Sequence, residues 1–161
     1  MIARISGFCI GGGLELALLC DLQIASDRSV FAVTPAKLGI GYKLEDVLLL
    51  TENLSTKHAK ELLFTGRRFP AEDALRWGLV NRIVPQGELD SSVLSYAREI
   101  SENAPLSVAA LKTVIAEAAK EESARDVDAC RRAVAECDAS EDRTEGQNAF
   151  AEKRAPNFEG R

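Results

Sequence analysis

Three consecutive glycines, Gly11, Gly12 and Gly13, with Glu15 two residues beyond them, are the best arranged group for chemistry in this chain. The apolar, β-prone stretch Ile5-Ser6-Gly7-Phe8-Cys9-Ile10 runs into them, and the helical pattern Leu14 to Cys20 leaves without a spacer. Glycine there lets backbone and ligand approach closely, and a helix start presents free N–H groups to an anion. No lysine follows the glycines and the spacing is neither the phosphate-loop nor the dinucleotide pattern, so a developing oxyanion suits the site better than a phosphate. The same glycines also serve plain close packing of helix on strand. Glu15, between Leu14 and Leu16, is a carboxylate among apolar neighbours, suited to moving a proton or simply to complementing the helix dipole. Tyr42 ends the loop Leu38-Gly39-Ile40-Gly41-Tyr42, where its hydroxyl can orient a carboxylate in an apolar pocket or serve as an ordinary satisfied loop tyrosine.

These residues need a layered α/β scaffold to hold them. Periodicity predicts a strand over 2–6, a helix over 12–20, a strand over 22–25 and an extended piece over 30–33 that Thr34-Pro35 breaks. Helices follow from Leu44 to Leu50, from a Ser55 cap to Phe64, and from Ala71 to Trp77. Leu79 to Val84 alternates as a strand. After Leu89 everything is helical by period, over 91–101, 105–119, 127–137 and 142–154. The division expected is a core over 1–88 and a helical region over 89–161.

Composition narrows the partners. The chain has 161 residues, 46% of them hydrophobic and 28% charged, with a formal charge of −5. Acids and bases are interspersed, which speaks against a nucleic-acid or anionic-membrane partner. Cys9, Cys20, Cys130 and Cys137 form no close CxxC pair, so neither a metal site nor a secreted disulfide framework is expected, and a cytoplasmic setting fits. No apolar run reaches the length of a membrane span. His58, the only histidine, lies in a polar helix start and reads as a surface residue, and Trp77 reads as helix-sheet packing. The stripe Val127, Cys130, Val134, Cys137 reads as buried packing or a subunit contact. In the last helix, Asp142 and Glu145 at the front and Lys153-Arg154 at the back suit the helix dipole.

The run from Ile5 to Asp21, together with Phe31 to Gly39, Glu61 to Gly66, Ala74 to Val84 and Ala149 to Phe158, resembles the crotonase (enoyl-CoA hydratase/isomerase) superfamily. Several separated motifs, GGGLELALLCD, ELLFTG, GLVNRIV and the FAEKRAPNF ending, occur in the family's order. The fold implied is α/β: the later part of the crotonase (ClpP/crotonase-like) spiral of ββα units, followed by a C-terminal helical layer. Nothing matches the family's N-terminal elements, so the resemblance implies that the first oxyanion donor lies outside this sequence. Within the superfamily, Thr34 to Tyr42 and Ser140 to Phe158 look most like the methylmalonyl-CoA decarboxylases.

The resemblance implies an acyl-CoA substrate whose thioester oxygen is held by the N–H of Gly12 while an enolate forms beside it. Glu15 falls on the family's first catalytic glutamate. Pro35 falls where hydratases carry the second, and Tyr42 on the tyrosine of the decarboxylases. Gly11 and Pro35 are expected against the substrate, and Phe150 and Lys153 near bound coenzyme A. No cofactor is implied beyond the coenzyme A of the substrate, and the assembly implied is a homotrimer or hexamer. The leading expectation is therefore methylmalonyl-CoA decarboxylation to propionyl-CoA and carbon dioxide, with enoyl-CoA hydration or isomerisation as the alternative. A catalytically silent oligomerising or CoA-binding module, weakly stable on its own, is the alternative of another class.

Overall fold

The computed structural model describes all residues, 1–161. They form two compact units, Met1–Ser95 and Tyr96–Arg161, with the boundary inside a helix.

In the first unit the apolar opening run is not one strand but two. β1 (Ile2–Ile5) and β2 (Phe8–Ile10) are separated at Gly7, whose φ of 76° only glycine adopts cheaply. α1 (Gly12–Leu18) follows, then β3 (Leu22–Ser26) and β4 (Val30–Ala32). β1 pairs in parallel with β3, and β2 in parallel with β4. Each strand–strand–helix turn thus lays its first strand on one sheet and its second on another, which is the ββα spiral expected. The first sheet is completed by β6 (Arg82–Val84), parallel to β3, and the second by β5 (Phe69–Pro70), antiparallel to β4. β2 and β5 are not separately legible in the sequence.

Thr34-Pro35 does more than break β4. Proline fits the first turn of a helix, where its missing N–H is not needed, and α2 (Pro35–Leu38) begins on it and ends at Gly39 in the left-handed conformation. α3 (Leu44–Asn53), α4 (Thr56–Thr65) and α5 (Ala71–Arg76) follow. Ser55 caps α4 by accepting the His58 N–H at 3.3 Å, and Gly66 closes it. The core is filled by Leu14, Ile24, Phe31, Leu50, Leu62, Phe69 and Leu79, each almost wholly buried. His58 is not the free surface residue expected. Its ring stacks on Trp77 with centroids 4.9 Å apart, and Trp77 meets Phe69 of β5 edge-on at 4.5 Å.

The buried polar side chains of this unit are satisfied by backbone carbonyls or by one another. Gln23 donates to the carbonyls of Ala17 (3.0 Å) and Cys20 (2.8 Å), tying the end of α1 to β3. Ser29 donates to the Ile5 carbonyl at 3.0 Å and pairs with Ser26 at 2.9 Å. Left unpaired in a low-dielectric interior, such groups would each cost about 1–3 kcal/mol.

α6 (Leu89–Ser101) crosses the boundary between the units. The second unit contains α7 (Pro105–Ala118), α8 (Val127–Ala139) and α9 (Glu141–Glu152), with α7 packed on α8. Of the two expectations for the α8 stripe, buried packing within the chain is not found and a subunit contact stays open: Val127 and Val134 are about half exposed and line an open apolar groove with Val114 and Cys130. The charges of α9 act through contacts rather than through the dipole alone. Asp142 is buried and accepts the N–H groups of Glu159 (2.8 Å) and Gly160 (2.9 Å). Glu145 takes both ends of the Arg154 guanidinium, at 2.6 and 2.8 Å, and the Asn157 N–H at 2.8 Å. The terminal segment is thereby folded back along α9, with the Phe158 ring over Gly146.

Candidate active site

α1 begins where β2 ends. Gly11 at its N-cap holds φ 55° and ψ −126°, and its N–H is committed to the Ala32 carbonyl of β4 at 2.9 Å. What Gly11 offers a ligand is therefore the absence of a side chain. Its carbonyl accepts the N–H groups of Leu14 (2.9 Å) and Glu15 (3.1 Å), closing the first turn. The amides of Gly12 and Gly13 come before those bonds and have no helical carbonyl within reach, so they are the donors a helix start leaves open. A Cβ at Gly13 would meet nothing within 4 Å.

Leu14, Ala17 and Leu18 bury one face of α1 and fix its rotation. That rotation leaves Glu15 half-buried and Leu16 68% exposed, so only Leu14 of the two flanking leucines joins the core. The Glu15 side chain folds back over the start of its own helix: Oε2 lies 4.0 Å from the Cβ position of Gly12. Oε1 accepts a hydrogen bond from the Tyr42 hydroxyl. Residues 27 positions apart thus meet above the glycine run, and no local pattern predicts it.

Tyr42 reaches Glu15 because its loop is held from both sides. The Ile40 N–H returns to the Pro35 carbonyl at 3.0 Å, and α3 starts two residues after Tyr42. The ring itself packs against the core. Pro35 is buried at the start of α2 and supplies no side-chain donor, acceptor or charge. Cys9 lies beneath, donating from Sγ to the Gly13 carbonyl at 3.5 Å. Burial pushes its thiol up to about 11, so it is neutral at pH 7 and no nucleophile.

Gly12, Glu15 and Tyr42 therefore come together. Phe150 and Lys153 lie in the second unit, Phe150 as an 88% exposed ring and Lys153 as the left-handed residue that ends α9. An amide at a helix start beside a carboxylate can hold an anionic oxygen and move a proton at the atom next to it.

Residues 1–161 match the family model described as enoyl-CoA hydratase/isomerase. The chain belongs to that family. Carnitinyl-CoA dehydratases from Salmonella typhi and Proteus mirabilis are each 42% identical over 165 residues. Those matches take in 100% of the chain, which spans 63% of the length of these curated relatives. Among solved structures, enoyl-CoA hydratase from Bacillus anthracis superposes with a TM-score of 0.93 at 33% identity, covering 99% of this chain and 62% of that one. Enoyl-CoA hydratase from Mycobacterium tuberculosis H37Rv gives 0.90 at 34% identity, covering 99% and 64%. The α/β crotonase-like fold is thereby shown.

These findings correct the expected emphasis on decarboxylases, since both curated relatives are dehydratases. The Tyr42 hydroxyl, expected to orient a substrate carboxylate, donates to Glu15 in this structure. Further, no helix of this family member is long and apolar enough to cross a membrane.

Proposed function

We propose that the protein is an acyl-CoA enzyme of the hydratase/isomerase kind. The Gly12 amide polarises the thioester oxygen, and Glu15 carries a proton to or from the carbon chain beside it. The observation that carries this reading is the Glu15 carboxylate folded back over Gly12 at the open end of α1. A thioester oxygen on that amide would place its α- and β-carbons within the carboxylate's surroundings. An amide aimed at the developing enolate oxygen contributes about 3 kcal/mol to transition-state stabilisation. Coenzyme A enters as part of the substrate. Phe150 and Lys153, the aromatic and cationic pair near the end of α9, are proposed to approach it in an assembled trimer or hexamer, to which the half-exposed α8 face would contribute.

The test is hydration of crotonyl-CoA by the full-length protein. Glu15→Gln keeps the size of the side chain and removes its proton transfer, and turnover should fall by about 10²–10⁴-fold. Unchanged turnover in that variant removes Glu15 from the mechanism.

Decarboxylation stands as the second reading because of Pro35. Water addition commonly engages two carboxylates, and Pro35 leaves the site with one, whereas loss of carbon dioxide needs only an oriented substrate and a held enolate. Conversion of methylmalonyl-CoA to propionyl-CoA, without hydration of crotonyl-CoA, would select it.

A further inference from the structure

We propose that Tyr42 acts on the reaction through Glu15, as a positioning residue that fixes the carboxylate over the Gly12 amide. The role rests on the reading of Glu15 as the proton-carrying group.

A glutamate on the first turn of a helix has a long side chain with rotamer freedom to lose. Leu16 beside it is exposed and offers no wall. The side chain is nevertheless held at one oxygen, Oε1, by the Tyr42 hydroxyl, and this leaves Oε2 lying over Gly12. The holder is itself anchored. Its ring packs on the core, its loop is closed by Ile40 on Pro35, and the left-handed Gly39 sets the direction of the turn.

The Tyr42 hydroxyl is the side-chain donor on Glu15. A reacting carbon must meet the carboxylate within a few tenths of an ångström, and misplacement by about 1 Å can cost on the order of 10²-fold in rate.

The experiment measures kcat and KM of the full-length protein, Tyr42→Phe, Glu15→Gln and the double variant, on crotonyl-CoA or on methylmalonyl-CoA, whichever the wild type converts. Phenylalanine keeps the ring and its packing, and equal melting temperatures check that the fold is intact. Expected are a loss in kcat of about 10²-fold in Tyr42→Phe with KM changed less than about threefold. In the Glu15→Gln background the same substitution should cost less than about twofold, because residues acting as one unit are not additive. An equal loss in both backgrounds overturns the proposal and makes Tyr42 a direct substrate contact. Wild-type kcat in Tyr42→Phe overturns it as well. A wild-type protein that converts neither substrate overturns the functional reading itself, and this role with it. An active wild type with additive losses overturns this role alone.

Discussion

The two compact units are held by different forces. Met1–Ser95 encloses nearly every buried apolar side chain of the molecule, whereas Tyr96–Arg161 contributes only Ala110 and Ala149. Ion pairs occur in both units, Arg67–Glu61 and Arg76–Asp73 among those of the first, but the second relies on them more, with Lys120–Glu117, Arg131–Asp128, Arg143–Asp138 and Arg154–Glu145. Leu111 and Ile115 of α7 and Val127 and Val134 of α8 remain exposed. Apolar burial is short-ranged and not weakened by ionic screening, while exposed ion pairs are weak and screened. The difference bears on the candidate site, which lies in the first unit: an amide and a carboxylate keep their geometry best where packing over-determines them.

The largest effect should come from the core beneath the site. Leu14→Ala removes a side chain that is 1% exposed and fixes the rotation of α1. It should lower stability by about 2–5 kcal/mol in a denaturant melt. Gly11→Ala comes next. Its Cβ would meet nothing within 4 Å, so the whole cost is backbone strain at φ 55°, ψ −126°, about 1–3 kcal/mol in the same melt. If this loss vanished, the helix start would be looser than its hydrogen bond to Ala32 implies.

In the second unit the corresponding sensitivity is to acid. Arg154 and the Asn157 N–H lower the Glu145 pKa from 4.5 to about 2. A carboxyl group depressed on folding binds protons better when unfolded, so its contribution is complete above about pH 4.5 and disappears as pH falls through about 2. Following the Asn157 amide and the Arg154 side chain by NMR, the return of the tail along α9 should loosen in that window, and Glu145→Gln should abolish the dependence. The smallest effect is expected from Arg131→Ala. Its pair with Asp128 is about three-quarters exposed on both sides, and the change in melting should stay under about 1 kcal/mol.

Legibility in the sequence divides in the same way, between local and distant causes. The start of α1 at Gly12, the Ser55 cap, the Gly66 stop and the four long helices after Leu89 are written in neighbouring residues. The split of the opening run into β1 and β2 is hidden because both halves are apolar, and only the pairing of each with a different later strand separates them. Pro35 reads as a breaker because its value at a first helical turn depends on whether the residues after it continue the helix. Within the site, Gly12 and Glu15 are visible from their spacing, but the bond from Tyr42 spans 27 residues and is made by tertiary structure. The tie between Glu145 and Arg154, nine positions apart, is outside helical spacing for the same reason.

Cys9 gives the first unit a built-in clock. Its sulfur is largely buried beneath the glycine run and protonated at neutral pH, so an alkylating reagent attacks it slowly while α1 stays seated on β2. Labelling at that position would therefore quicken whenever the helix lifted away, and its pace would follow the breathing of the start of α1.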